Sequence, residues 1–330
     1  MRAFEYASPT TKQQAVDLLA ASWSESEPLA GGTDLVGLMK DDVVTPKRVV
    51  NLKEIRELRG IQFDAAKGLR LGALVTIEEL AEHAQVRQHY GALADAASEL
   101  GSPQIRNMGT VGGNLCQRPR CWYFRSGNGL LARNAAGKSL VLEGDNRYHA
   151  ILGNAGPAYY VHPSTLAPAL IAFGAKVRIF GPGGEREIDL EQFYRIPASD
   201  AEREHILKPK EIVTEVRVPP PGASRSATYE VRQKDAFDWP LALASVVVRL
   251  NGSQVQSARI VLGHVAPVPW RSLEAEKALA GKAVTESLAQ AAGVAALEKA
   301  RDLGRNGYKI QLARVAVRRA VLQAVRGGAQ

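Results

Sequence analysis

At 330 residues, with 45% hydrophobic and 23% charged residues, the chain is long enough to bury a sizeable core and to divide into two or three domains. Its two cysteines, Cys116 and Cys121, exclude a disulfide framework and a Cys-rich zinc module, so a reducing compartment is the default. The formal net charge of +8 is dispersed, with a local excess only at Arg314, Arg318, Arg319 and Arg326; without a basic stripe or a recognition motif it excludes nucleic acid as the expected partner and reads as a solvated face or a docking surface.

The opening "MRAFEYASPTT" lacks the charged, apolar and small-residue regions of a secretory signal, and "LAPALIAFGA" is too short to span a bilayer, so no membrane insertion is expected. After the hydroxyl caps of "SPTT", Ala15, Leu18, Leu19 and Trp23 recur at helical spacing. The short stretch "PLA" runs into "GGTDL", "RVVNL" predicts a strand, and "GLRLGALV" alternates Leu69, Leu71, Ala73 and Val75 as a half-buried strand does. A long helical stretch is predicted over 77 to about 100, stopping at Gly101. Residues 126–146 lack apolar periodicity and read as a long loop, which inside a compact domain is usually functional or disordered. Regular structure is expected again at "HAILGN", in a helix at "STLAPALIAFG" and in the strands "AKVRIFG" and "EIVTEVRVPP". The run "PPPG" cannot continue a sheet and marks a boundary. Beyond it, "LALASVVVRL" and "QVQSARIVLGHVAP" flank Asn251-Gly252, a hairpin signal, and helices are predicted over 273–279, 285–301 and 308–325.

Two glycine loops carry the chemistry. In "LAGGTDL", Gly31 and Gly32 follow a strand, where successive backbone N–H groups make an anion-binding concavity. The loop "GTVGGN" offers Gly109, Gly112 and Gly113 with Thr110 and Asn114 as side-chain donors, so the pair could grip the two phosphates of one dinucleotide. Neither has the GxGxxG spacing of a Rossmann turn, and no P-loop occurs.

With "RLGALVTIEEL", "IRNMGTVGGNL", "VHPSTLAPAL", "EIVTEVRVP" and "LGHVAPVPWR" in this order, nearly the whole chain resembles the FAD-binding medium subunit of the molybdenum hydroxylase and xanthine dehydrogenase family, most of all its bacterial aldehyde oxidoreductase type. The resemblance implies an α+β fold of the vanillyl-alcohol-oxidase (PCMH-like) type. Its parts would be FAD-binding subdomain 1 at 1–57, subdomain 2 at 58–221 with a long loop at 116–160, and a C-terminal α+β domain of a hairpin sheet with helices at 222–330. It also implies FAD contacts at Leu29, Ala30, Gly31, Gly32, Thr33, Asp34 and Leu35 in the first loop, and at Gly109, Thr110, Gly112, Gly113, Asn114 and Cys116 in the second. Gly72, Ala73 and Thr76 would form a further wall, with Ser164, Thr165, Ile212, Val213 and Lys234 beside the cofactor. Thr165 departs from the family's HPSD pattern, keeping a hydroxyl without the charge. A cation such as Lys234 beside the flavin would stabilise its anionic reduced form.

Some relatives carry a [4Fe-4S] cluster in a loop that "RCWYF" and "LEGDNRYHAILGN" resemble at its entrance and exit. Only Cys121 matches a ligand position, Cys116 lies in the FAD motif, and His149 and His162 are expected to be structural, so no [4Fe-4S] is expected on this chain. The resemblance implies no catalytic residue here. Substrate would be oxidised on a molybdenum-cofactor large subunit, and electrons would reach FAD through a [2Fe-2S] small subunit in a heterotrimer or its dimer. The alternatives are a stand-alone flavoenzyme of the same fold and, more remotely, a basic nucleic-acid-binding protein. The expected location is the cytoplasm, or the periplasm by export with a signal-bearing partner.

Overall fold

The computed structural model describes residues 1–234 and 237–326. Three sheets follow one another along it. The first is a small parallel sheet of β1 (Glu5–Ala7), β2 (Ser26–Leu29) and β3 (Arg48–Asn51), in the order β1-β3-β2. Between β1 and β2 runs the helix Lys12–Leu18, whose N-terminus is capped by the Thr11 hydroxyl accepting the Gln14 N–H. It buries Ala15 and Val16, with Leu19 just past its end, against Val50. The helix stops because Leu19 turns extended, which carries Trp23 out of the helical face on which its spacing suggested it.

The second sheet is antiparallel throughout: β4 (Ile61–Asp64), β5 (Gly68–Gly72), β6 (Lys176–Gly181), β7 (Gly184–Asp189) and β8 (Ile212–Val218), in the order β4-β5-β8-β6-β7. Leu74, Phe180 and Ile212 join the cluster of Ala15, Val50 and Leu58, so the first two sheets share a core at one place and part elsewhere. The long helical stretch predicted over 77–100 is divided into three helices: Ile77–Glu82, Ala84–His89 and Gly91–Ser98. The breaks fall at His83 and Tyr90, which leave helical geometry. Tyr90 is fully buried, packs edge-on against Phe173 and donates its hydroxyl to the Pro219 carbonyl, so tertiary packing overrides helical continuation there. Likewise "HAILGN" forms no regular element. Ile151 and Leu152 instead donate their N–H groups to the Val265 carbonyl. The long loop at 126–146 is ordered around buried Leu130, Leu131 and Val141 and contains the short helix Leu140–Glu143.

The third sheet, in the order β12-β11-β10-β9, is built from β9 (Ser224–Val231), β10 (Ala242–Asn251), β11 (Gln254–Gly263) and β12 (Trp270–Arg271). The hairpin forms one residue later than "NG" suggested, with Asn251 paired to Gln254 across Gly252 and Ser253. Helices Leu273–Leu279, Glu286–Ala296 and Tyr308–Arg326 cover it, Ala313, Ala316, Val317, Ala320, Val321 and Ala324 forming the inner stripe of the last. The arginines on that helix are not simply a solvated face: Arg318 pairs with Glu286 at 3.4 Å and Arg319 lies over the Tyr229 ring at 5.1 Å. Lys309, 1% exposed, donates to the carbonyls of Tyr148 (3.2 Å), His149 (3.2 Å) and His264 (2.8 Å), which fastens this helix to the loop that leaves 116–150. Among the described residues no helix is long and apolar enough to cross a membrane.

Candidate functional site

Where the first two sheets part and the third closes over them lies a cleft of about 480 Å³, within the size range of small-molecule sites. Its floor is the meeting of the two glycine loops. Gly31 runs so close to the second loop that a Cβ on it would stand 1.7 Å from the Met108 carbonyl oxygen and 3.2 Å from the Gly109 Cα. Gly32 follows with φ at +78°, a backbone conformation that side chains disfavour. The result is a turn in which the N–H groups of Gly31, Gly32, Thr33 and Asp34 donate no hydrogen bond among the described residues.

The second loop differs. Its N–H groups are spent internally: Gly109 to Ile105, Val111 to Val75, Gly112 to Ala73, Asn114 to the Thr110 carbonyl and Gly113 to the Thr110 hydroxyl. Of this loop only Thr110 keeps a backbone N–H that donates to none of the described residues. Gly112 is there for close packing, since a Cβ would lie 2.9 Å from that of Ala73. The two loops are thus one donor turn resting on one packing turn, rather than two equivalent nests.

Of the anticipated residues, Ala30, Gly31, Gly32, Thr33, Asp34, Leu35, Ala73, Gly109, Thr110, Gly112, Gly113, Asn114, Cys116, Thr165, Ile212 and Val213 line the cleft. Leu29, Gly72, Thr76, Ser164 and Lys234 are not among its lining. Leu29 ends β2. Gly72 ends β5 and lets the Leu58 carbonyl approach. Thr76 forms the capping box of the helix Ile77–Glu82 with Glu79. Ser164 supports the cleft from behind, its hydroxyl 2.6 Å from Asn114 Oδ1. Lys234 is exposed and outside the cleft lining, and Glu230 on β9 is part of it.

Sequence reasoning named Asp34 but missed its charged partners around the floor. Asp34 is a hub: Oδ2 accepts the Arg118 N–H at 2.7 Å, and Oδ1 accepts Arg120 at 2.5 Å and Arg125 at 2.7 Å. Arg120 also lies 4.7 Å over the Trp239 ring. On the deep side, Arg118 pairs with Glu204 at 2.8 Å and Arg203 with Glu27, two cations and two anions nearly excluded from water. Burial raises the Glu27 pKa against the pull of Arg203, and burial holds His205 well below the ordinary histidine value, so His205 is neutral. "QRPR" and "EREH" were visible as charged stretches, but the partners lie up to 176 residues away in the chain.

The cysteines are neutral thiols. Burial pushes Cys116 up to about 12, and burial also raises Cys121, whose Sγ is 3.1 Å from His149 Nε2. His149 falls to about 4 through burial. A cluster held by four thiolates finds no ligand set in a chain with two cysteines, and no group of three or more His, Cys, Asp or Glu among the described residues is arranged to hold a metal ion.

Residues 2–221 match the family model of the FAD binding domain in molybdopterin dehydrogenase, and residues 227–324 match that of the CO dehydrogenase flavoprotein C-terminal domain. The chain belongs to the FAD-binding subunits of the molybdenum hydroxylases. It is 33% identical over 318 residues to the aldehyde oxidoreductase FAD-binding subunit PaoB of Escherichia coli (strain K12), covering 95% of this chain and 96% of that protein. It is 30% identical over 323 residues to the carbon monoxide dehydrogenase medium chain of Hydrogenophaga pseudoflava, covering 96% of each. The solved carbon monoxide dehydrogenase of that organism superposes with a TM-score of 0.78 at 28% identity over 99% of each chain. The fold is therefore the α+β fold of the carbon monoxide dehydrogenase medium chains, and the chain is an oxidoreductase subunit.

Proposed function

We propose that this family member binds FAD in the cleft and serves as the electron-transfer subunit of a molybdenum hydroxylase complex. In this reading electrons come from a molybdenum cofactor through [2Fe-2S] clusters on partner subunits and leave for an external acceptor. The observation that carries it is the donor turn at 31–34, where four consecutive N–H groups without partners among the described residues line a cleft of about 480 Å³. A diphosphate fits that donor set, because its oxygens are strong acceptors and the amides are already held in place. FAD, when bound, supplies the ability to take electrons singly and release them in pairs.

The chain's own residues would do the rest. The amides of Gly31, Gly32, Thr33 and Asp34 would hold phosphate oxygens. The Asp34 carboxylate would repel a diphosphate if left bare, but Arg120 and Arg125 cancel its charge and its Oδ2 is occupied by the Arg118 N–H. Ser164 fixes the Asn114 amide facing the cleft, and Leu58, Leu74, Leu207, Ile212 and Val213 give an apolar wall that excludes water. Cys116, held as a thiol, adds no charge there.

Purification of the chain with the products of neighbouring genes, recording flavin, iron and molybdenum together, tests the reading. We expect one FAD per copy of this chain, iron and molybdenum only with the partners present, and a cytoplasmic complex, or a periplasmic one if a partner carries the export signal. A chain without flavin refutes the reading; a chain that oxidises a substrate alone makes it a solitary flavoenzyme.

A further inference from the structure

Three cleft-lining side chains keep a buried polar atom without a partner among the described residues: Arg120 Nε, His205 Nδ1 and Glu230 Oε1. The first two belong to the charged floor and the deep side. Arg120 spends its other nitrogens on Asp34 and Gln117, and His205 stacks on Phe193 with ring centroids 5.4 Å apart. Glu230 is the carboxyl among the three and stands on β9 of the third sheet.

Glu230 lies on β9 with its side chain only 4% exposed. Its Oε2 forms an ion pair with Arg232, 3.1 Å from Nε, and Arg232 in turn binds Glu99, another residue of the cleft. Across the sheet its registered neighbour on β10 is Leu243, fully buried. Asp95 and Arg319 engage Thr228 and Tyr229 on the same strand, and Asp238 lines the same cleft. Burial lifts the Glu230 carboxyl to about 8. The oxygen beside the guanidinium is the less basic of the two. The proton therefore sits on Oε1, the oxygen left unpartnered at the cleft, where a buried donor without an acceptor is costly.

The position within the cleft is also informative. Ile105, Phe237 and Trp239 line it and are 41%, 71% and 46% exposed, so this set of residues forms its open rim. Glu27, Arg203 and His205 line its deep side and are each less than 10% exposed. A redox ring that exchanges electrons with another molecule belongs near the rim, and Glu230, itself buried, lines the same cleft as Phe237 and Trp239.

On the FAD reading above, we propose that Glu230 is a positioning residue for the flavin ring, its carboxylic acid donating a hydrogen bond from Oε1 to an acceptor on the ring edge and so favouring the electron-rich reduced form. No atom is transferred: the proton stays on Glu230, and the hydrogen bond strengthens as charge builds on the acceptor.

The full-length chain loaded with FAD tests this, by equilibrium reduction against a dye and by titration of FAD and, separately, ADP. In Glu230→Leu the preference for reduced over oxidised cofactor should fall about tenfold, which for a two-electron couple is about 30 mV. Glu230→Gln retains an N–H donor and should stay within about threefold of the wild type, and ADP affinity should be the same in all three proteins. The potential of the wild type should also change its pH dependence near pH 8, a break that Glu230→Gln lacks; this second readout stands even if the Leu variant fails to fold. An unchanged potential in Glu230→Leu, a raised potential in Glu230→Gln, or ADP affinity falling with FAD affinity overturns the proposal. A wild-type chain that binds no FAD overturns the functional reading itself, a different result.

Discussion

The contact between the two glycine loops makes Gly31→Ala the sharpest perturbation of the cleft. The added Cβ would stand 1.7 Å from the Met108 carbonyl oxygen, whereas real Cβ atoms essentially never come within 3.0 Å, so the loops must separate by about 1.3 Å. The obstacle is backbone, and no rotamer change relieves it. A displacement of that size takes a hydrogen bond of ordinary length beyond its working range. If two of the four amides lose their phosphate contacts, at about 1.5–3 kcal/mol each for a charged acceptor, binding weakens by about 3–6 kcal/mol, on the order of a hundred- to ten-thousand-fold in Kd. The assay is FAD titration of the purified full-length chain, with a thermal melt alongside to separate lost affinity from lost fold. Gly37→Ala is the matched control: it lies in the helix Leu35–Lys40 with nothing within 4 Å of its added Cβ, so it should leave Kd unchanged and raise stability by about 0.5–1 kcal/mol through helix propensity. A Gly31→Ala chain that binds FAD within threefold of the wild type would refute the reasoning.

Other expectations follow from single contacts. Asp34→Ala removes the acceptor shared by Arg118, Arg120 and Arg125, so stability should fall by about 2–4 kcal/mol and trypsin should cut the 118–125 segment faster under native conditions. Lys309→Met takes the donor from the Tyr148 and His264 carbonyls, while His149 keeps Asn306, and should cost about 2–4 kcal/mol in a denaturant melt; a loss under 1 kcal/mol would show that they find other donors. Lys234→Ala, at an exposed position outside the cleft lining, should leave the flavin potential where it is. Acid should destabilise the fold from about pH 6.5 downward. Burial holds His149 at about 4 and His162 and His264 at about 3, so below the unfolded histidine value the unfolded chain binds protons that the native one refuses. Each histidine lowers stability by up to about 1.4 kcal/mol per pH unit until its folded value is reached, and a melting temperature flat from pH 7 to pH 4 would contradict this.

What was legible in the sequence was local. Gly31-Gly32 and Gly112-Gly113 announce backbone that must bend or be approached, and the motif order points to one family, because both signals are complete within a few residues. The hairpin at Asn251-Gly252 was readable for the same reason and missed its register by one residue, since register is set by the paired strands. What stayed hidden depends on pairs distant in the chain. Glu27 and Arg203 neutralise each other across 176 residues, and Asp34 organises arginines more than 80 residues away, so neither end of a pair advertises its partner. The break at Tyr90 has the same origin: a ring drawn into the core against Phe173 stops a helix that periodicity would have continued. Lys234 was singled out because the resemblance puts a basic residue there, and nothing local in the sequence marked Glu230. In β9, however, alternation turns residues to opposite faces, and the third sheet closes over the cleft with a carboxyl on the inner one. The site therefore takes its donors from local glycine chemistry and its electrostatics from tertiary pairing.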